Sequence, residues 1–517
     1  MLYYLYFLEV YMNKYLRILS ILIFSFLLIG CNLATTTTSR NTSNSTSSVT
    51  SATVTSPATT TTNETTTTVT TVPTTIPTTT TDEQNQPFQP EGYSLLDDEL
   101  EYVGIPSLGD VKVLVFAVDF SDYTALSSDV TITDIDNAFN GTSLSTQYES
   151  LNSYYKKSSY NQLNLTADIF GFYRASKPST YYEDEYEKAY AWNDETNDYL
   201  YDEDEITYPD SDLIYEILTY YNSQINYQDY DANNDGYIDG IYIVYTAPVS
   251  YEYGSDLWWA YQDYYAYYGD KFDQVEPNYF CWSGTDFLLE GDDGINAKTL
   301  IHETGHMLGI EDYYDYDSED SFNSGGLGGA DMMDNTVGDH NPFTKLLLGW
   351  IKPYVVTETM EVSLTPFMNS GDTLLIINQW NNTIFDEYLL ITFYTPTDLN
   401  YLDRDEIFSI SGILIYHIDA KTGNPNPNSS YPSTLFTYNN TDSTHKLINI
   451  IEADQDNDIK NKSDAENTDL FQSGSVFRGT THTNYHWYNA SIDMNFTVQI
   501  LSKSADSSTI KIDFDNK

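Results

Sequence analysis

His302-Glu303-Thr304-Gly305-His306 sets two histidines four apart, with a glutamate directly after the first. On a helix that spacing brings both imidazoles to one face, one turn apart. Two imidazoles in that relation suit two corners of a tetrahedral zinc site. Glu303 then stands beside the metal, placed to take a proton from bound water. Gly309 can end the helix in a left-handed conformation without a Cβ penalty. The chain can then turn back and offer Asp312 as a third ligand, leaving a fourth position open for water, as a catalytic zinc requires. A more distant carboxylate is the alternative third ligand. The bland reading is a helix with two surface histidines and an ordinary glycine cap. Only seven histidines occur in 517 residues, which weighs against coincidence.

These residues need a scaffold. The motif predicts a helix over about residues 295–308. Upstream, Val111 to Phe120 is a β-branched apolar run, as expected of a buried strand that starts the folded body. Thr146 to Ser158 reads as helical, Gln162 to Phe172 as a strand, Ser211 to Ser223 as a helix and Ile241 to Tyr245 as a strand. Strands alternating with helices predict a twisted mixed sheet packed against helices. After about Pro353 the pattern becomes short alternating segments: Thr373–Ile377, Glu387–Phe393, Gly412–Ile418, Lys446–Glu452 and Thr509–Phe514. That predicts a β-rich, sandwich-like unit. The fold class expected is therefore α+β, with no internal repeat.

Lys plus Arg total 22 against 77 Asp plus Glu, a formal net charge of −55. Such a surface repels nucleic acid and anionic headgroups and attracts cations. Asp231, Asn233, Asp235 and Asp239 alternate oxygen ligands around Gly236. They resemble the first nine positions of an EF-hand-like loop and predict a structural calcium. Tyr242 stands where that loop carries its bidentate glutamate, and an acidic Asx turn is the plainer alternative. Asp454, Asp456 and Asp458 read as a solvated loop. The aromatic stretch Tyr251 to Tyr268 is either a substrate-facing wall or ordinary core.

The N-terminal region reads as an address and a leash. Lys14 and Arg17 precede an apolar run over residues 18–29, as in an export signal, and the true start is Met1 or Met12. Leu28-Ile29-Gly30-Cys31 resembles a bacterial lipobox, which implies cleavage before Cys31 and lipid on its sulfur. An uncleaved membrane anchor is the alternative, although the run is short for a span. Asn32 to about Pro90 is mostly Thr and Ser, with nothing to bury, and reads as a disordered tether. It would span roughly 40–45 Å as a flexible coil. Cys281, the other cysteine, sits among aromatics and reads as a buried, inert thiol.

Several segments together resemble the immune inhibitor A-like peptidases (peptidase family M6), relatives of the metzincins. His302 to Asp312 is similar to that family's extended zinc motif. Val111 to Asp122, Tyr154 to Tyr160, Asp331-Met332-Met333-Asp334, Phe343 to Trp350, Gly412 to Asp419 and Ile451 to Asp454 match further pieces in order. The resemblance implies a zincin-like catalytic domain followed by a β-rich domain. It implies that His302, His306 and Asp312 bind one zinc, that Glu303 is the general base, and that Met333 is the structural Met-turn residue. Ala330 departs from the tryptophan usual before that turn. The group that would stabilise the oxyanion is open, with His340 and several tyrosines as candidates.

The expected organisation is a lipoprotein signal over 1–31, a tether over 32–90, a metallopeptidase domain over 91–354 and a β-rich domain over 355–517. The expected function is a monomeric, exported, lipid-anchored zinc endopeptidase acting on proteins or peptides outside a bacterial cell, either at its surface or released. The alternative is a non-catalytic surface adhesin on the same fold.

Overall fold

The computed structural model describes residues 104–514, apart from 190–191, 194–197, 200–206, 250–255, 292–293, 317–325, 379–382, 403–406, 424–434, 442–444, 462 and 489–492. The export signal, Cys31 and the tether lie outside the described residues. No helix among the described residues is long and apolar enough to cross a membrane.

The chain opens with β1 (Gly109–Asp119), α1 (Ile132–Asn140), α2 (Leu151–Ser158), β2 (Leu163–Arg174) and α3 (Ser179–Ala189). A small hairpin of β3 (Trp192–Asn193) and β4 (Asp198–Tyr199) and then α4 (Pro209–Tyr221) follow. The first half closes with β5 (Ile241–Tyr245), β6 (Tyr261–Tyr264), β7 (Tyr279–Gly284) and α5 (Lys298–Met307). Five strands form one sheet in the order β2-β1-β5-β7-β6. The first four run parallel, and β6 pairs antiparallel with β7 at the edge.

β1 lacks polar alternation because both of its faces are covered. Val111, Val113, Val115 and Ala117 share a core with Ile301, Met307 and Leu308 of the α5 region. Leu114, Phe116 and Val118 face Leu213, Ile214 and Ile217 of α4. α2 starts at Leu151 rather than at Thr146 because Ser150 and Ser153 form a reciprocal capping box there, while Thr146 bridges to Ile295. α5 likewise begins later than expected, at Lys298, where Asn296 Oδ1 accepts the Lys298 N–H at 2.9 Å.

The second half contains α6 (Met332–Asn335), α7 (Pro342–Leu347), β8 (Tyr354–Val355), β9 (Met360–Leu364), α8 (Phe367–Ser370), β10 (Thr373–Ile377) and β11 (Glu387–Tyr394). Then come β12 (Gly412–Asp419), β13 (Ile448–Ile450), β14 (Val476–Arg478), β15 (Phe496–Lys503) and β16 (Ser508–Phe514). Two sheets result, ordered β13-β12-β11-β10-β8 and β14-β15-β16-β9. The β8–β10 pair is parallel and the remaining pairs are antiparallel. The class is α+β with mixed sheets.

An apolar layer joins these two sheets. Leu389, Ile391 and Phe393 of β11 meet Val498 and Ile500 of β15 and Ile510 and Ile512 of β16. The opposite face of β11, with Tyr388, Leu390 and Tyr394, joins the same cluster as Ile301, Met307 and Met333. One core therefore runs across position 355. Cys281 is a free thiol buried in that core, and burial pushes its pKa well up, which keeps the thiolate from forming.

A chain ending at Lys352 would leave the first half's side of this core facing water. We expect it to lack a cooperative melt and a native near-ultraviolet circular dichroism signal. A sharp independent transition in that fragment would show instead that the first half is self-sufficient.

Candidate metal centre

α5 carries both histidines. Gly309 takes φ +85°, Gly309 N–H donates to the His306 carbonyl at 2.9 Å, and Ile310 N–H reaches back to the Gly305 carbonyl at 3.0 Å. This left-handed exit folds the next residues over the helix face. Asp312 Oδ1 then lies 3.0 Å from His302 Nε2 and 3.3 Å from His306 Nε2. Ligands sharing one tetrahedral zinc at about 2.0–2.1 Å are separated by about 3.3 Å, so the spacing fits.

The hydrogen bonds decide which ring nitrogens face the centre. His302 Nδ1 lies 2.9 Å from the Met332 carbonyl and His306 Nδ1 2.7 Å from the Ile310 carbonyl. A carbonyl only accepts, so each Nδ1 carries the proton, and in the neutral ring each Nε2 presents a lone pair. Two lone pairs and a carboxylate oxygen therefore converge on one point. Asp312 Oδ1 is buried, with only the two imidazole nitrogens beside it. Positive charge must hold these three atoms together, supplied either by a proton on an imidazole or by a metal ion. The set fits zinc, with two nitrogens, one oxygen and outer-shell carbonyls holding the imidazoles.

Electrostatics points the same way. Burial alone would raise the Asp312 carboxyl, but the imidazoles, His306 foremost, hold it far below the usual carboxylate range. Burial would lower His306, yet Asp312 pushes it up to about 10. His302 is raised by the same partner against its own burial. The convergence point thus favours positive charge, and a proton competes with a metal for it.

Glu303 is 8% exposed. Burial pushes its pKa up, against the pull of the two histidines, and a backbone N–H of Gln262 in β6 stabilises its charge. α5 is pinned to the sheet and to α2. Tyr155 Oη donates to the Ile301 carbonyl at 2.6 Å, and the Thr304 and Tyr242 hydroxyls meet at 2.8 Å.

Below the helix, Met333 fills the space that Gly305 leaves. A Cβ at Gly305 would lie 2.3 Å from Met333 Sδ. Asp331 is fully buried and accepts from Met333 N–H at 2.7 Å, Asn341 N–H at 2.7 Å and Asn341 Nδ2 at 2.9 Å. Tyr313 N–H donates to the Met333 carbonyl at 2.9 Å.

Two functional side chains escaped the sequence reading. Tyr316 Oη donates to Asp312 Oδ2 at 2.5 Å. The Tyr314 ring lies 4.7 Å from that of Tyr316, and burial and then Asp312 push its hydroxyl up. Their only signal was position, two and four residues after Asp312. His340, an oxyanion candidate, has a wholly enclosed side chain among Tyr154, Tyr155 and Trp350. It cannot touch a substrate, and its role is packing.

In the expected calcium loop, Asp231 accepts from the N–H groups of Asp235 at 3.0 Å and Gly236 at 3.1 Å, and Asp239 from Ala232 at 2.9 Å. Asn233 Nδ2 donates to Asp235 at 3.0 Å. Burial pushes Asp239 up to about 8. Asp231, Asp235 and Asp239 do not bring one oxygen each within 4.8 Å of the others, whereas His302, His306 and Asp312 do gather their ligand atoms so closely. In the aromatic stretch, Trp258 is core, stacked against Trp282, and Trp259 is 39% exposed. Residues 251–255 of that stretch lie outside the described residues.

No known protein family matches this chain, and no curated protein is similar to it in sequence.

Tyr316→Phe removes a donor from a ligand carboxylate, and its side chain is exposed enough for the fold to survive. Zinc affinity should fall about 10–100-fold, read by competition with a chromophoric chelator. Because protons compete for His306, affinity in the parent protein should also rise with pH through the neutral range.

Gly305→Ala forces Met333 to move. Overpacking of this kind costs about 1–3 kcal/mol, and adding Met333→Ala should recover part of that loss in a thermal melt. A Gly305→Ala protein that melts like the parent would mean that Met333 is free to yield.

Proposed function

We propose that the chain is a zinc-dependent endopeptidase whose first half is a zincin-like, metzincin-related catalytic unit, akin to the immune inhibitor A-like peptidases. The observation that carries this reading is the convergence of His302 Nε2, His306 Nε2 and Asp312 Oδ1, with both Nδ1 atoms committed to carbonyls. Met333 under Gly305 supports the Met-turn role. The parallel sheet with one antiparallel edge strand beside the motif helix supports the architecture.

His302, His306 and Asp312 would hold the zinc, which when bound polarises a carbonyl and lowers the pKa of water to near 7. Glu303 takes the proton of the attacking water and later delivers it to the leaving amine nitrogen. Its burial raises its basicity, bringing proton uptake and release closer to neutral pH. Tyr314 and Tyr316 stand at the Asp312 side of the centre, where their hydroxyls orient that carboxylate. β6 is one of the two edges of its sheet, with β2 at the other. An extended peptide can add to it by main-chain hydrogen bonds, next to Glu303 through Gln262. Recognition through backbone suits protein and peptide substrates.

The setting proposed is extracellular. The export signal, lipidation at Cys31 and the Thr/Ser tether hold a monomeric enzyme off a bacterial membrane or allow its release, and the acidic charge excludes nucleic acid as a partner. A structural calcium at the Asp231 loop belongs to the same proposal.

Glu303→Gln should keep one zinc per chain and lower proteolysis of unfolded casein by on the order of 10²–10⁴-fold. Parent-level cleavage by that variant would sink the mechanism, and a parent protein without zinc by elemental analysis would sink the function.

A further inference from the structure

A second group of acids lies apart from the metal-centre residues. Glu452, Asp454 and Asp469 each place one carboxylate oxygen within 4.8 Å of the other two. Asp458 adds a fourth charge that acts on both Glu452 and Asp469. Glu452 stands two residues beyond β13, and the chain then doubles back through left-handed Gln455 and Asn457, at φ +72° and +59°. Asp469 ends the helical turn Asn467–Asp469. The two segments are tied by Ala453 N–H to the Asp469 carbonyl at 3.1 Å. Within the loop, Asp458 N–H donates to Glu452 Oε2 at 2.8 Å.

Two of these acids are cut off from solvent. Glu452 is 1% exposed and Asp469 0%. Asp469 Oδ2 accepts from Glu466 N–H at 2.7 Å, but Asp469 Oδ1 is buried with no donor, and so is Asp458 Oδ1. None of the ion pairs within 4.0 Å among the described residues reaches any of the four acids. Lys446, the cation that acts on Glu452 at longer range, donates instead to the Gly326 carbonyl at 2.8 Å. A buried carboxylate oxygen with no donor, set among other carboxylates, is costly twice over: it is desolvated and it is repelled.

Protons or a cation can relieve this. Burial first, then the neighbouring acids, push Glu452 up to about 8 and Asp469 up to about 7. A cation does the same work without neutralising the acids. The donors are all oxygen, with no nitrogen or sulfur, which selects a hard ion. Carboxylates from two segments, with free oxygens to spare, suit the six to eight irregular ligands of calcium better than the strict, water-rich octahedron of magnesium.

We propose that Glu452, Asp454, Asp458 and Asp469 form a calcium site that fastens the loop after β13 to the Asn467–Asp469 turn. The site is a staple of the second half. It stands whether or not the first half is a peptidase.

The test uses the full chain, stripped with a chelator and then dialysed against radiolabelled calcium at about 1 mM, the range of extracellular calcium modules. Asp454→Asn, whose side chain lies at the open side of the cluster, should bind one calcium fewer per chain than the parent. It should also lose part of the calcium-dependent rise in Tm. Asp469→Asn removes a buried charge, so with chelator it should melt at or above the parent, and with calcium below it. Asp235→Asn controls for the Asp231 loop. Parent-level calcium binding in both Asp454→Asn and Asp469→Asn overturns the proposal. So does a calcium loss seen in Asp235→Asn alone, or a parent protein that binds none.

Discussion

Two imidazole N–H groups donating to backbone carbonyls govern the centre of this molecule. They settle the tautomer of His302 and His306, aim both Nε2 lone pairs at Asp312, and stop either ring from turning. Each carbonyl is itself the product of a turn. The one facing His306 belongs to Ile310, held by the left-handed Gly309. The one facing His302 belongs to Met332, in the turn whose next residue fills the space under Gly305. Ligand orientation and the floor of the site are therefore one construction, and a shift in either turn rotates a ligand.

Rigidity in those turns comes from buried polar groups with little freedom to rearrange. Asp331 spends both carboxylate oxygens on the Met333 and Asn341 donors, which locks the turn to the start of α7. Asp339 takes the buried Lys345 ammonium at 2.5 Å and the Ser158 hydroxyl at 2.6 Å, joining α7 to α2. α2 in turn holds α5 through Tyr155. Net stabilisation from a buried ion pair is modest, but stripping one partner leaves an uncompensated charge worth about 3–5 kcal/mol. Such pairs specify an arrangement more than they strengthen it. A metal centre at His302, His306 and Asp312 would have the same requirement, since ångström-scale placement of three side chains would matter more than added stability.

Much of this was legible in the sequence because it is local. The strands at 373–377, 387–394 and 412–419 announce themselves through runs of branched and aromatic residues, and both histidines, the glycine exit and Asp312 all fall within eleven residues. What escaped depends on contacts between distant segments. β6 reads as part of an aromatic stretch, and only its pairing with β7 makes it an edge strand beside Glu303. Asp454 and Asp458 read as a solvated loop because Asp469, which lies beyond them in the chain, closes over the cluster only in the fold. Helix starts moved for a similar reason: Ser150 supplied a cap, and Asn296 took the Lys298 N–H, inside segments whose periodicity ran further. The Asp231 loop is equally local, and its carboxylates accept from its own backbone N–H groups.

The heavy acidic load turns hydrogen-bond accounting into a guide to function. A chain of net charge −55 cannot keep every carboxylate in water once it folds, and most of the buried ones are answered by backbone donors or by lysine. Asp334 accepts from the Leu327 and Gly329 N–H groups, and Asp372 from Thr365. Among the described residues, four buried carboxylate oxygens accept from no backbone N–H or hydroxyl: one each on Asp312, Asp419, Asp458 and Asp469. Asp419 Oδ1 has the Lys421 ammonium at 2.8 Å. The other three fall in or against the two places where ligand atoms gather closely enough to share an ion. Hydrogen bonding and ligand spacing are separate criteria, and chance gives no reason for the oxygens left without donors to collect there. Positive charge would complete both places, the one requirement that the histidine centre and the all-carboxylate cluster share.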